Sequence, residues 1–381
     1  MTPLELIDLA PIAQILLVGA VVASLALLPL LWRQRHAPSP VRLRALTVLT
    51  AFLTLDLVMF GAFTRLTDSG LGCPDWPGCY ASASPLGAHA EISQAQAVQP
   101  DGPVTHQKAW IEMIHRYLAT GVGALLTLLM VWSWRAARRG ERQASPLWAT
   151  LSFLWVCVQG AFGALTVTMK LYPLIVTLHL LGGVVLLALM ALQAERHAGV
   201  PTALPAGLRT GIAAVLGMVL LQTALGGWVS TNYAVLACEG FPTCNGQWWP
   251  QGDYAQGFHL LRELGLQNNG EVLTGDALVA IHWVHRLGAL AVTVAITALC
   301  LALRRHGARP LQKLTTALAA VLVLQLLTGV SNVVLDWPLL AAVAHTGGAA
   351  VLVALLTTLL ARSAASPAHA PQPAGQAAWQ P

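Results

Sequence analysis

Long apolar runs alternate with short polar, arginine-bearing segments along almost the whole chain. Nine runs, near 12–32, 44–63, 110–134, 147–168, 174–194, 208–230, 277–303, 314–335 and 339–361, reach the roughly 20 residues a helix needs to cross a bilayer. In hydrocarbon only a backbone that satisfies its own hydrogen bonds is tolerated, so each run predicts a membrane-spanning helix. On one side two connections are long, 64–109 and 231–276, and two are tight turns at Tyr172-Pro173 and Trp337-Pro338. The first run could pass for a signal peptide. Glu5 and Asp8 precede it and no Lys or Arg does, so a retained helix is expected. The tail from Ser363, rich in Ala, Pro and Gln, is expected to be disordered.

The pattern also repeats. Gly61-Ala-Phe-Thr-Arg-Leu-Thr-Asp-Ser-Gly-Leu-Gly-Cys73 corresponds to Gly226-Gly-Trp-Val-Ser-Thr-Asn-Tyr-Ala-Val-Leu-Ala-Cys238. The stretch from Gln159 to His179 corresponds to that from Gln325 to His345, with Gly163 and Gly329 four residues after each Gln. Helices two to five and six to nine therefore read as a duplication. Both halves begin on the same side of the membrane, so the repeats are parallel, related by an axis along the membrane normal. The expected fold is an all-α integral membrane protein: two four-helix repeats plus one extra N-terminal helix, nine spans in all. Residues 1–42 hold the extra helix and its loop, 43–200 the first repeat, 201–362 the second and 363–381 the tail.

Composition sharpens this picture. With 56% hydrophobic and 10% charged residues, no soluble catalytic domain fits. The net charge of +5 does not indicate a nucleic-acid partner. It comes from alternate loops holding Arg33, Arg35, Arg42 and Arg44, then Arg135, Arg138, Arg139 and Arg142, Arg196 and Arg209, and Arg304, Arg305, Arg309 and Lys313, with Arg362 at the tail. The opposite loops hold only Arg65, Lys108, Lys170 and Arg262. The positive-inside rule places the first set in the cytoplasm, the N-terminus outside and the C-terminus inside. Cys73/Cys79 and Cys238/Cys244 then face outward, where disulfides persist. Each C-x5-C pair suggests one short disulfide, although four cysteines allow three connectivities. A structural clasp and a redox role are both open. Cys157 and Cys300, inside apolar runs, read as small core residues.

Candidate chemistry gathers on four histidines. Trp110-Ile-Glu-Met-Ile-His-Arg116 is answered by Ile281-His-Trp-Val-His-Arg286, and each has a partner downstream: His179 for His115, His345 for His285. An intramembrane imidazole is costly and by default functional. All four fall roughly 10 Å inside the outer boundary at 1.5 Å per residue, in one layer. Paired imidazoles from facing helices suit the axial positions of haem iron, which bundle cores commonly hold. Gly182-Gly183 and Gly347-Gly348 would let a flat macrocycle approach. Zinc fits poorly, since two histidines without a third protein ligand make a weak zinc site. Arg116 and Arg286 could meet haem propionates, or merely snorkel to the interface. Glu112 shares a helix face with His115, and the second repeat has His282 at that place. A carboxylate there could act as a base or stabilise a cation; its bland alternative is an acid favoured by the helix dipole. His282 is an alternative ligand to His285.

The run from Arg65 to Tyr80 (RLTDSGLGCPDWPGCY), followed by that from Gly102 to Arg116 (GPVTHQKAWIEMIHR), resembles the haem A synthase family, over about residues 43–362. The resemblance implies two four-helix repeats that convert haem O to haem A for terminal cytochrome oxidases, in a bacterial inner membrane with the N-terminus periplasmic. It implies that His285 and His345 hold a haem b cofactor, that His115 and His179 form the substrate haem site, and that Glu112 is tied to activity. It implies two successive oxidations of one ring methyl, through hydroxymethyl and a gem-diol, with water as oxygen source and a carbocation-like stage. Haem O synthase and cytochrome oxidase assembly factors become candidate partners; the electron acceptor is not written in the sequence. The extra helix, the long outer loops and His282 depart from the family pattern. A di-haem electron carrier and a haem-handling carrier without turnover are the competing readings.

Overall fold

The computed structural model describes residues 10–141, 144–197 and 201–365. Glu5, Asp8 and Arg142 lie outside these. The long helices are α1 (Ala10–Arg33), α2 (Ser39–Leu66), α4 (His106–Arg138), α5 (Pro146–Thr168), α6 (Pro173–Arg196), α7 (Ala206–Thr231), α9 (Gly275–His306), α10 (Gln312–Val334) and α11 (Leu339–Arg362). Between them lie the shorter helices α3 (His89–Val98) and α8 (Tyr254–Gly257), with strands β1 (Thr202–Leu204) and β2 (Ser363–Ala365). Nine helices among the described residues are long and apolar enough to span a membrane, and the protein is an all-α, multi-pass membrane protein.

The helices overrun the apolar stretches because their ends are set by capping, which is indifferent to hydropathy. Thr105 opens α4 by accepting from the Lys108 N–H, and Thr274 opens α9 by accepting from that of Ala277. Prolines in the first turn start α2, α5 and α6, where a missing N–H costs nothing.

Two runs, α2 with α4–α6 and α7 with α9–α11, share their backbone down to its exceptions. Left-handed residues fall at corresponding places: Asp68 and Tyr233, Tyr80 and Asn245, Ala81 and Gly246, Lys170 and Asp336, Leu171 and Trp337. Where the runs meet, corresponding residues touch one another. Arg65 donates to the carbonyl of Ser230, and Tyr233 donates to Asp68. On the arginine-rich side Glu195 at the end of α6 pairs with Arg362 at the end of α11. Such self-correspondence is what an approximate two-fold axis produces. One core cluster bridges the runs, joining Val58 and Val184 to Ile212, Ile296 and Leu356. Helix α1 stands outside this arrangement and packs on α4, where Gly19 lies against Thr120 and Gly121 against Val22. Small residues let helix backbones approach, which is the main source of helix adhesion in lipid.

Two expectations about ends and loops change. Ser363–Ala365, expected to begin a disordered tail, pair in parallel with Thr202–Leu204. The chain leaving α11 runs beside the chain entering α7, and Arg209 Nε donates to the Ser363 hydroxyl, so these backbone groups find partners. The remainder, 366–381, lies outside the described residues. The long connections 64–109 and 231–276 are not open loops. The first folds α3 and a small core of Cys73, Cys79, Ala88 and Ile92 over Ala109 and Met113 of α4. In the second, Trp228 donates to the Gly257 carbonyl, and buried Arg262 donates to Asn232 and Leu266.

Candidate functional site

Each predicted histidine sits against a glycine on a neighbouring helix. A Cβ added at Gly61 of α2 would lie 3.1 Å from Cε1 of His115, and one at Gly226 of α7 would lie 3.1 Å from Cε1 of His285. Gly163 of α5 stands in the same relation to His179 at 3.6 Å, and Gly329 of α10 to His345 at 3.0 Å. Four imidazoles are thus seated on bare backbone. His115 and His179 lie near enough for a charge on one ring to be felt by the other, and so do His285 and His345. Phe60 lies parallel to the His115 ring at a centroid distance of 6.2 Å.

A second regularity surrounds them. Gln159, Gln222 and Gln325 stand four residues before Gly163, Gly226 and Gly329, and each amide covers the glycine three residues after a histidine: Gly182, Gly288 and Gly348. The first pair of helices breaks the rule, with Leu57 and Leu118 at those places. The sequence reading noted two of these spacings and missed the third. Gly61 and Gly226 were visible in the duplicated stretch, but nothing in it said that they would meet an imidazole.

Glu112 is 4% exposed, and both its oxygens are engaged. Oε2 accepts from the backbone N–H of Cys73 at 2.8 Å, and Oε1 pairs with Arg116. Arg116 donates further to the carbonyls of Asp75, Pro77 and Gly78. Cys73 and Cys79 form a disulfide, as do Cys238 and Cys244, so each pair closes on itself. In the second half Arg286 donates to the carbonyls of Cys238, Gly240 and Thr243, and its Nε donates to Nε2 of His282 at 3.3 Å. His282 therefore occupies the place of Glu112 beside an arginine. The two guanidinium groups that could meet propionates also hold loop carbonyls. Arginine suits this task because its planar fork reaches several acceptors at once.

Two buried imidazole pairs are a donor set that suits the axial positions of haem iron. Ligands arrive in twos, the number a porphyrin leaves for protein, and among the described residues no cluster of three or more His, Cys, Asp or Glu gathers for a bare ion. The glycine seats keep the flanking backbone clear.

Fold and site together define a multi-pass helical membrane protein with two paired-histidine layers under disulfide-closed loops. Residues 44–357 match the family described as cytochrome oxidase assembly protein, COX15-CtaA. The chain is 40% identical over 315 residues to a haem A synthase of Shewanella oneidensis, covering 82% of this chain and 93% of that one. It is 30% identical to the haem A synthase of Caulobacter vibrioides (81% and 92%) and 28% identical to that of Halalkalibacterium halodurans (84% and 94%). The chain belongs to this cytochrome oxidase assembly family, that of the haem A synthases.

Proposed function

We propose that the protein is a haem A synthase, oxidising one ring methyl of haem O to a formyl group in two successive steps. The observation that carries the reading is the pairing of four glycine-seated histidines with a buried acid beside only one pair. In this reading His115 and His179 bind the substrate haem O, and His285 and His345 hold a resident haem b. A bound haem b supplies one-electron redox chemistry. Glu112, fixed between Arg116 and the Cys73 N–H, holds negative charge one helical turn from His115 and stabilises the cationic stage of methyl oxidation. Arg116 and Arg286 anchor the disulfide loops above the two sites and remain the candidates for propionate contact. The loop side faces the periplasm and the arginine-rich side the cytoplasm, as the charge distribution requires. Haem O synthase, as the source of substrate, is the partner this reading names.

An electron carrier with two unchanging haems has no use for an acid at one site and an imidazole at the other. The deciding experiment is pigment extraction from cells expressing the protein together with haem O synthase. Formyl-bearing haem is expected; haem O recovered unchanged would favour a carrier.

A further inference from the structure

The two histidine pairs differ in what holds their rings. Nδ1 of His345 lies 3.0 Å from the hydroxyl of Thr328. That hydroxyl gives its own hydrogen to the Leu324 carbonyl at 2.8 Å, so its oxygen accepts from Nδ1–H and leaves Nε2 free as the donor to a metal. Nδ1 of His285 lies 2.9 Å from the Gln222 amide, which also donates to the His285 carbonyl at 2.9 Å. An amide nitrogen can only donate, so this contact sets the His285 ring with Nδ1 as acceptor and does not prepare Nε2 for a metal. In the first pair, Nδ1 of His115 and Nδ1 of His179 are both buried with no partner among the described residues. The reason is in the sequence: Leu57 stands where the second half has Gln222, and Phe162 where it has Thr328.

We propose that Thr328 is a positioning residue that locks the imidazole of His345, so that the second pair retains its haem while the unlocked first pair exchanges its own. The inference rests on the assignment of substrate and resident haem made above. Partners on the far nitrogen of a ligating imidazole set its orientation and raise its basicity. A locked ring also loses less freedom on binding, which strengthens retention. A substrate site must do the opposite, releasing a product whose iron ligation is the same as that of the substrate. Phe162 and Leu57 offer no hydrogen bond, so the first pair can re-aim at each turnover.

The test uses the full-length, haem-loaded protein and two readouts that do not depend on turnover: the rate of haem loss to excess apomyoglobin and the midpoint potential of the low-spin haem. Thr328→Val is expected to speed loss of that haem by about 10–100-fold, the usual effect of removing such a partner. The same substitution should also raise its potential, because a less basic imidazole favours the ferric state less. Thr328→Ser restores the hydroxyl and should restore both values, which a general packing defect would not do. His345→Ala serves as the control and should abolish the low-spin haem. If Thr328→Val matches the parent in both readouts while His345→Ala loses the haem, the locking role is wrong and the site assignment stands. If His345→Ala keeps the low-spin haem, the site assignment itself falls and the locking role falls with it.

Discussion

Glu112 shows how much a single side chain gains meaning from its neighbours. Its place on the His115 face follows from helical spacing, and that was legible. Its engagement by Cys73 N–H and Arg116 was not, because both contacts depend on how a distant loop folds back. Both contacts favour the charged form of the carboxylate, and in a dry layer a charge acts most strongly on a developing cation. Glu112→Gln preserves an acceptor for Cys73 and removes the charge. A group of this kind commonly contributes about 10²–10⁴ in rate. Haem chromatography of the purified variant should therefore show retained haem O, little haem A and an undiminished resident haem. Glu112→Asp should fall between. Parental proportions of haem A in the Gln variant would take this residue out of the mechanism.

At the scale of elements, the disulfide loops act with the arginines beneath them. Cys73–Cys79 closes a short ring, and Arg116 ties that ring to α4 through three carbonyls. A closed loop of this size stabilises by about 2 kcal/mol in the chain-entropy account. The ring also presents the Cys73 N–H to Glu112. Replacing Cys73 and Cys79 together by Ser should lower haem A formation while the low-spin spectrum of the second site survives. Loss of both haems in that variant would show that the clasp supports more than its own loop. The cysteine spacing announced these rings. What they rest on depended on α3 and on the core of Ile92, Ala109 and Met113, too weakly patterned to be read from a polar loop.

For the whole molecule, the contacts between corresponding residues, Arg65 with Ser230 and Asp68 with Tyr233, and the pair Glu195–Arg362 at the matching ends of α6 and α11, set the two runs about one approximate axis. Both histidine layers then lie on the same side as the long loops. Our orientation makes that side periplasmic. A reporter fused after Gly140 should remain cytoplasmic, and one inserted near Gly252 should be exported; the reverse would invert the placement of both sites. Sequence by itself determined the spans, since a bilayer admits only runs that are long, apolar and internally bonded. It also singled out the four histidines, since duplication writes the same choice twice. It could not decide what each polar side chain meets. Those partners depend on how far each helix is rotated and how deeply it sits against the next, and hydropathy alone leaves these free. Only the packed structure seats the imidazoles on Gly61, Gly163, Gly226 and Gly329, turns Arg116 and Arg286 into the loops, and gives Nδ1 of His345 and His285 the partners that His115 and His179 lack.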